Sequence, residues 1–309
     1  MYEDFFGLKA KPFQVSPDPA FIYWSKSHSM TIAMLRYGVM SHSPLTVITG
    51  EVGAGKTTLL RQMLDEMPED LVTGLISNMQ PGKGGLLEWA LMAFDQPYAN
   101  MTYVERFDTL QKFIIEAYAE GGQVALIVDE AQNLSMDQLE ELRMLTNINA
   151  EADLLLQIFL VGQPELREML TKPELRQFSQ RITSDFHLES LQEAEVAEYI
   201  ARRLEVAGAE WEVFPAAACK KIYNITRGVP RLINVLADLC LVYAFSSERK
   251  VVDDEILGDL MQGIQRNGIF NQFAPMQPAE AKEPAPAEQP RDEAISFAGS
   301  VKPFPNRAG

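Results

Sequence analysis

The run Gly50-Glu51-Val52-Gly53-Ala54-Gly55-Lys56-Thr57-Thr58 has the spacing G-x-x-x-x-G-K-[ST]. Its glycines let the backbone curl until successive N–H groups point inward at phosphate oxygens. Lys56 adds a positive charge for the β- and γ-phosphates of a nucleoside triphosphate, and Thr57 offers a hydroxyl to Mg2+. A helix starting there also turns its positive dipole end toward the phosphates. The spacing therefore predicts a site for ATP and Mg2+ built by every residue from Gly50 to Thr58.

A second element is Val124-Ala-Leu-Ile-Val128 followed by Asp129 and Glu130. An apolar strand ending in acids delivers carboxylates to the strand's C-terminal edge, where open α/β sheets bind ligands. Alone, this ending reads equally well as two solvated acids. With the phosphate loop upstream, Asp129 is the expected Mg2+ partner and Glu130 the residue that polarises the water attacking the γ-phosphate. Gln163, before Pro164, has two readings: a contact to the γ-phosphate or attacking water, or a turn-forming polar residue. Arg176 and Arg181 are candidates for an arginine supplied by a neighbouring subunit, against the plainer reading of surface arginines. Arg231, after Pro230, could reach the γ-phosphate from a second domain or make a surface ion pair.

These residues need a parallel sheet to hold them. Leu45–Thr49, Val72–Ile76, Val124–Val128 and Leu154–Val161 read as strands, with a fifth around Phe186–Leu188. Runs apolar on both faces and separated by helices indicate a sheet covered on both sides. Thr57–Met67 places Leu59, Leu60, Met63, Leu64 and Met67 on one helical face, and Ser135 caps a helix carrying Met136, Leu139, Leu142 and Leu145. After about residue 191 only helices are expected: Ala194–Ala207, one opened by Pro215, one from Pro230 to about Phe245, and one over about Asp253–Ile264. The expected organisation is an α/β nucleotide-binding domain over 1–190, including a Phe/Pro-rich segment 1–44, a helical domain over 191–266, and a disordered Pro/Ala-rich tail over 267–309.

The chain has 309 residues, 47% hydrophobic and 23% charged, with a net charge of −16. That excludes collagen-like, coiled-coil and wholly disordered classes. The most apolar stretch, Leu154–Gly162, is too short to span a membrane, and Met1-Tyr2-Glu3-Asp4 lacks the basic start and apolar core of a signal peptide, so a cytoplasmic protein is expected. Cys219 and Cys240 fall on apolar helix positions and read as packing. His28, His42 and His187 have no zinc-ligand spacing. The acidity disfavours nucleic acid as a partner, although a local basic face can sit on an acidic protein.

Beyond these motifs, the sequence resembles the AAA+ ATPases of the general secretion pathway protein A (ExeA-like) family, including the ATPases found with exosortase systems. The resemblance covers about residues 1–265. It is carried by Met1-Tyr-Glu-Asp-Phe-Phe-Gly-Leu8, Lys11-Pro-Phe13, Pro17-Asp-Pro19, the run Gly50–Thr58, Val128-Asp-Glu-Ala-Gln-Asn-Leu134, Leu160-Val-Gly-Gln-Pro-Glu-Leu166, Gln180-Arg-Ile182 and Gly228-Val-Pro-Arg-Leu-Ile-Asn234. It implies a five-stranded AAA+ core followed by a helical lid. Arg181 matches the family's trans-acting arginine, with Arg176 the fallback, Arg231 matches its lid arginine, and Gln163 falls at its first sensor. The N-terminal segment is implied to pack beside the adenine. The resemblance also implies a homo-oligomeric ATPase driving or regulating an envelope secretion or polysaccharide export system through a protein partner. Longer members continue into a transmembrane helix and a peptidoglycan-binding domain; this sequence shows neither, and a stand-alone motor or switch is expected. Two other readings are a DNA-linked ATPase of the transposition-helper kind and a nucleotide-gated scaffold with little turnover. Glu130 argues against the scaffold, which has little use for a second acid there.

Overall fold

Leu45–Gly50 is rich in β-branched residues, and every one of its side chains is buried in strand β1. Strands apolar on both faces must be covered on both sides, and four more meet that condition in whole or part: β2 (Leu71–Ile76), β3 (Gln123–Val128), β4 (Leu156–Gly162) and β5 (Ile182–Leu188). They form one sheet in the order β2-β3-β4-β1-β5, parallel throughout. The computed structural model describes residues 1–15, 18–68, 70–77, 79, 84–150 and 153–267. The expected disordered tail lies outside the described residues except at its first position.

The sequence expectation for β4 began too early. Asp153–Leu154 pairs antiparallel with Asn149–Ala150 in a separate ribbon, and the parallel strand starts at Leu156. β5 is longer than expected. It is an edge strand whose Thr183, Ser184, Asp185 and His187 are polar, so its apolar signal survives only near its end.

Helices cover the sheet: α1 (Lys26–Met40), α2 (Lys56–Asp65), α3 (Leu86–Ala93), α4 (Tyr103–Ala119), α5 (Met136–Leu145) and α6 (Pro164–Leu170). The helix expected over Thr57–Met67 is α2, and Ser135 caps α5 by accepting from the Gln138 N–H at 3.2 Å. The motif-based reading passed over α1, α3, α4 and α6. In α1 the inner face carries Ile32, Leu35 and Val39, but Met30, Tyr37 and Met40 are exposed and blur the stripe. α3 is apolar almost throughout, a pattern that does not separate helix from buried strand.

The chain then turns wholly helical: α7 (Glu193–Ala207), α8 (Ala216–Thr226), α9 (Pro230–Ser246) and α10 (Asp254–Asn267). Val196, Ile200, Ile222, Ile233, Leu236 and Leu260 share one apolar core. Cys219 and Cys240 are buried in that core; burial pushes the Cys219 thiol up to about 11 and raises Cys240 further. The N-terminal segment corrects the sequence-level grouping. Tyr2, Phe6, Leu8, Phe13 and Phe21 belong to this helical core rather than to the sheet's. The Lys9 N–H donates to Ala207 O at 2.7 Å, and Lys250 lies 3.7 Å from the Phe5 ring centroid. A strap of aromatic residues finds its apolar burial against the helices, because the sheet's faces are already covered.

Sheet and helices meet where the Leu191 N–H donates to Gly228 O at 3.0 Å. Gly228 has φ +77°, and a Cβ there would stand 1.8 Å from Leu191 O. Gly228→Ala therefore forces the backbone apart at this junction and is expected to destabilise the protein by roughly 3 kcal/mol. A thermal melt matching the wild type would contradict this. Among the described residues no helix is long and apolar enough to cross a membrane.

Candidate functional site

β1 ends at Gly50, β3 at Val128 and β4 at Gly162, so the segments carrying the predicted chemistry leave one end of the sheet together. β1 is flanked by β4 on one side and β5 on the other, and its C-terminal end is a crevice of the kind where α/β sheets hold ligands. Gly53 and Gly55 have φ of +85° and +106°, conformations that side chains resist, and they curl the loop between β1 and α2. Gly50 is needed for another reason: a Cβ there would come within 2.8 Å of Leu188 O.

Lys56 is 8% exposed. Its Nζ donates to Gly50 O at 2.6 Å and to Glu51 O at 3.0 Å, so the loop's own carbonyls orient it. Burial lowers the Lys56 pKa, while Glu130, Asp129, Glu51 and Glu165 oppose that. The Thr57 hydroxyl donates to Asp129 Oδ2 at 3.3 Å. Burial raises the Asp129 carboxyl above its ordinary range, against donors that include the Glu130 N–H at 2.9 Å. A hydroxyl beside a carboxylate at the start of a phosphate-loop helix is a donor set suited to Mg2+.

Glu130 has a left-handed backbone, φ +54°. Its Oε2 accepts from Gln132 Nε2 at 2.5 Å and Gln163 Nε2 at 3.0 Å. The Gln163 N–H in turn donates to Gln132 Oε1 at 3.0 Å. Burial alone would raise the Glu130 carboxyl; these two amides and the Lys56 charge outweigh it and hold it below the usual glutamate range. Glu130 is thus a carboxylate held in one orientation by two amide donors beside the phosphate loop.

A cavity of about 300 Å3 opens between the loop and the helices. Val52 to Thr58, Glu130, Gln163 and Arg231 line it; Gly50, Glu51 and Asp129 are not part of this lining and act on it through their hydrogen bonds with Lys56 and Thr57. The Arg231 N–H donates to Gly53 O at 3.2 Å, and a Cβ on Gly53 would meet the Arg231 Cβ at 2.5 Å. Arg176 and Arg181 are not part of the cavity. Arg181 precedes β5, whose start pairs with Leu45, the far end of β1 from the loop. At about 3.3 Å per residue that end is roughly 20 Å away. Arg181 donates to Asn147 Oδ1 at 2.6 Å, and Arg176 is exposed.

Three residues at this site escaped the motif reading. Gln132 links Glu130 to Gln163. His28 is buried under the loop: Ser25 Oγ lies 2.7 Å from its Nδ1, and its Nε2 is 3.1 Å from Ala54 O. Burial lowers the His28 pKa, so the ring is neutral and its Nε2–H donates to the loop carbonyl. Arg203 lines the cavity from α7. The Ser25-to-His28 spacing of an N-cap was a readable signal for α1; nothing local marks Arg203.

The AAA domain family matches residues 39–170. General secretion pathway protein A of Aeromonas hydrophila is 38% identical over 258 residues, 83% of this chain and 47% of the relative. The chain spans about half the length of that curated relative. Among solved structures, Drosophila ORC bound to DNA has a TM-score of 0.60 at 15% identity, covering 82% of this chain and 64% of that one. Pyrobaculum aerophilum Cdc6p has a TM-score of 0.59 at 16% identity, covering 81% and 71%. The Aeropyrum pernix ORC2 protein, in ADPNP–ADP complexes, has 0.56 at 17%, covering 79% and 71%. At these identities the likeness is one of fold.

Proposed function

We propose, for a chain that belongs to the AAA+ ATPase family of general secretion pathway protein A, that it binds Mg-ATP at Gly50–Thr58 and hydrolyses it to ADP and phosphate with Glu130 as general base. The observation that carries this reading is the locked Glu130 carboxylate facing the same cavity as Lys56 and Thr57. The loop's N–H groups and Lys56 would grip the phosphates. Thr57 and Asp129 would hold Mg2+, which supplies neutralising charge for the β- and γ-phosphates. Glu130 takes a proton from the attacking water as the bond from the γ-phosphorus to the bridging oxygen breaks, and Gln163 with Gln132 keeps the carboxylate aimed. Arg231 lines the cavity from the helical domain and its N–H donates to the phosphate loop, which supports a lid over 191–266 that responds to nucleotide state.

The remote position of Arg181 supports a role in trans. An arginine at the opposite end of the sheet from its own loop reaches a γ-phosphate only in a neighbouring copy, so we read the active form as a homo-oligomer. By analogy with the secretion relative, its work is the drive or regulation of an envelope secretion or polysaccharide export system, through a protein partner. The net charge of −16 weakens any phosphate-backbone contact and favours protein over DNA.

Calorimetric titration with Mg-ATP and steady-state phosphate release test the core of this reading; absence of binding heat from the folded chain would end it. Arg181→Ala is expected to lower turnover by about a thousandfold with ATP affinity intact. Mixing it with Glu130→Gln subunits should recover part of the activity, since each supplies what the other lacks. No recovery in mixed oligomers would remove the trans role.

A further inference from the structure

Arg203 is 6% exposed, and among the described residues no carboxylate pairs with it. A cation taken out of water without a counter-charge is costly unless its donors are satisfied. Nε donates to Pro12 O at 2.7 Å, Nη1 to Tyr199 Oη at 2.5 Å and Asn234 Oδ1 at 3.1 Å, and Nη2 to Gln14 O at 3.4 Å. The guanidinium also lies 5.2 Å from the Phe21 ring centroid and 5.4 Å from that of Tyr199, within cation–π range.

These partners come from the N-terminal strap, from α7 and from α9. One planar fork thus fixes two strap carbonyls, a tyrosine hydroxyl and an amide oxygen at once, a geometry that a lysine cannot reproduce. Tyr199 Oη also donates to Asn234 Oδ1 at 2.8 Å, so Asn234 Oδ1 accepts two donors and its amide faces one way. Gln14, Phe21, Tyr199, Arg203 and Asn234 all line the cavity that holds the phosphate loop, on the part built by strap and helices. The aromatic residues Phe21 and Tyr199 and the apolar Val15 and Ile22, beside a few oriented polar groups, make a lining suited to a flat heteroaromatic ligand.

We infer that Arg203 is the positioning residue of the base pocket, holding strap, α7 and α9 in the arrangement that receives the purine of the nucleotide while the loop at Gly50–Thr58 grips its phosphates. This rests on the nucleotide-binding reading above. It separates two functions within one cavity: the loop selects a triphosphate, and the Arg203 cluster selects its base.

The test compares Mg-ATP with Mg-UTP, whose phosphates are the same, by calorimetry on the wild-type full chain and on Arg203→Met, which keeps an apolar stem and removes the fork. The wild type is expected to prefer ATP, and Arg203→Met to lose roughly tenfold of that preference while UTP affinity holds. A wild type that binds both equally overturns the proposal. So does a folded Arg203→Met with the wild-type ratio, including one in which both affinities fall together, because a displaced helical domain would weaken both alike. If the wild type binds neither nucleotide, the nucleotide reading itself fails. Should Arg203→Met not fold, Arg203→Lys, which retains the charge but not the fork, is held to the same ratio.

Discussion

Glu130→Gln should retain Mg-ATP binding while turnover drops by roughly a hundredfold to ten-thousandfold, the usual contribution of a general base. The swap is nearly isosteric. A glutamine at 130 still offers Oε1 to the donors on Gln132 and Gln163, which now sit at 2.5 and 3.0 Å from the carboxylate, so the geometry of the cluster survives. Proton affinity is what disappears. The left-handed backbone at this position, φ +54°, is no harder for glutamine than for glutamate, and the fold should melt at a similar temperature. The measurement is phosphate release under saturating Mg-ATP beside a calorimetric affinity. Wild-type turnover would show that water is activated elsewhere; lost affinity would show that Glu130 is needed to shape the pocket rather than to move a proton.

Lys56→Ala should abolish measurable nucleotide binding, by about a hundredfold or more in affinity. Two effects act in the same direction. The ammonium group is buried and donates to Gly50 O and Glu51 O, so its loss leaves two loop carbonyls without that donor. It is also the cation that faces Glu130, Asp129, Glu51 and Glu165. Without it a triphosphate would approach a loop backed by uncompensated acids. Removing one member of a buried charge cluster typically costs about 3–5 kcal/mol. Thermal melting separates lost binding from lost folding, and a folded Lys56→Ala chain with wild-type affinity would refute the role of this side chain at the phosphates.

Much of the site was legible because its chemistry is local. Gly53 and Gly55 need glycine for their own φ, Lys56 opens the helix that the loop feeds, and Asp129 and Glu130 end an apolar strand. The strands around them were readable for the same reason, except at the start of β4, where Asp153–Leu154 turns aside into a small ribbon, and along the polar first half of the edge strand β5. Less was legible where burial depends on distant neighbours. α1 carries exposed Met30, Tyr37 and Met40 opposite its buried face, and α3 is apolar nearly all round, so neither shows a clean stripe.

The phosphate loop and its acids are sequence-determined, because backbone conformation and strand-end placement are set within a few residues. What the tertiary structure alone decided is who surrounds them. Phe6, Phe13 and Phe21 fall in the segment that the sequence groups with the α/β domain, and only packing assigns them to the helical core. Gln132 gains meaning when β4 brings Gln163 alongside, and Arg203 when the strap, more than 180 residues earlier in the chain, lays its carbonyls against the fork. Such contacts join residues far apart in the chain, and no local propensity or spacing encodes them; they exist only once sheet and helices have found their places.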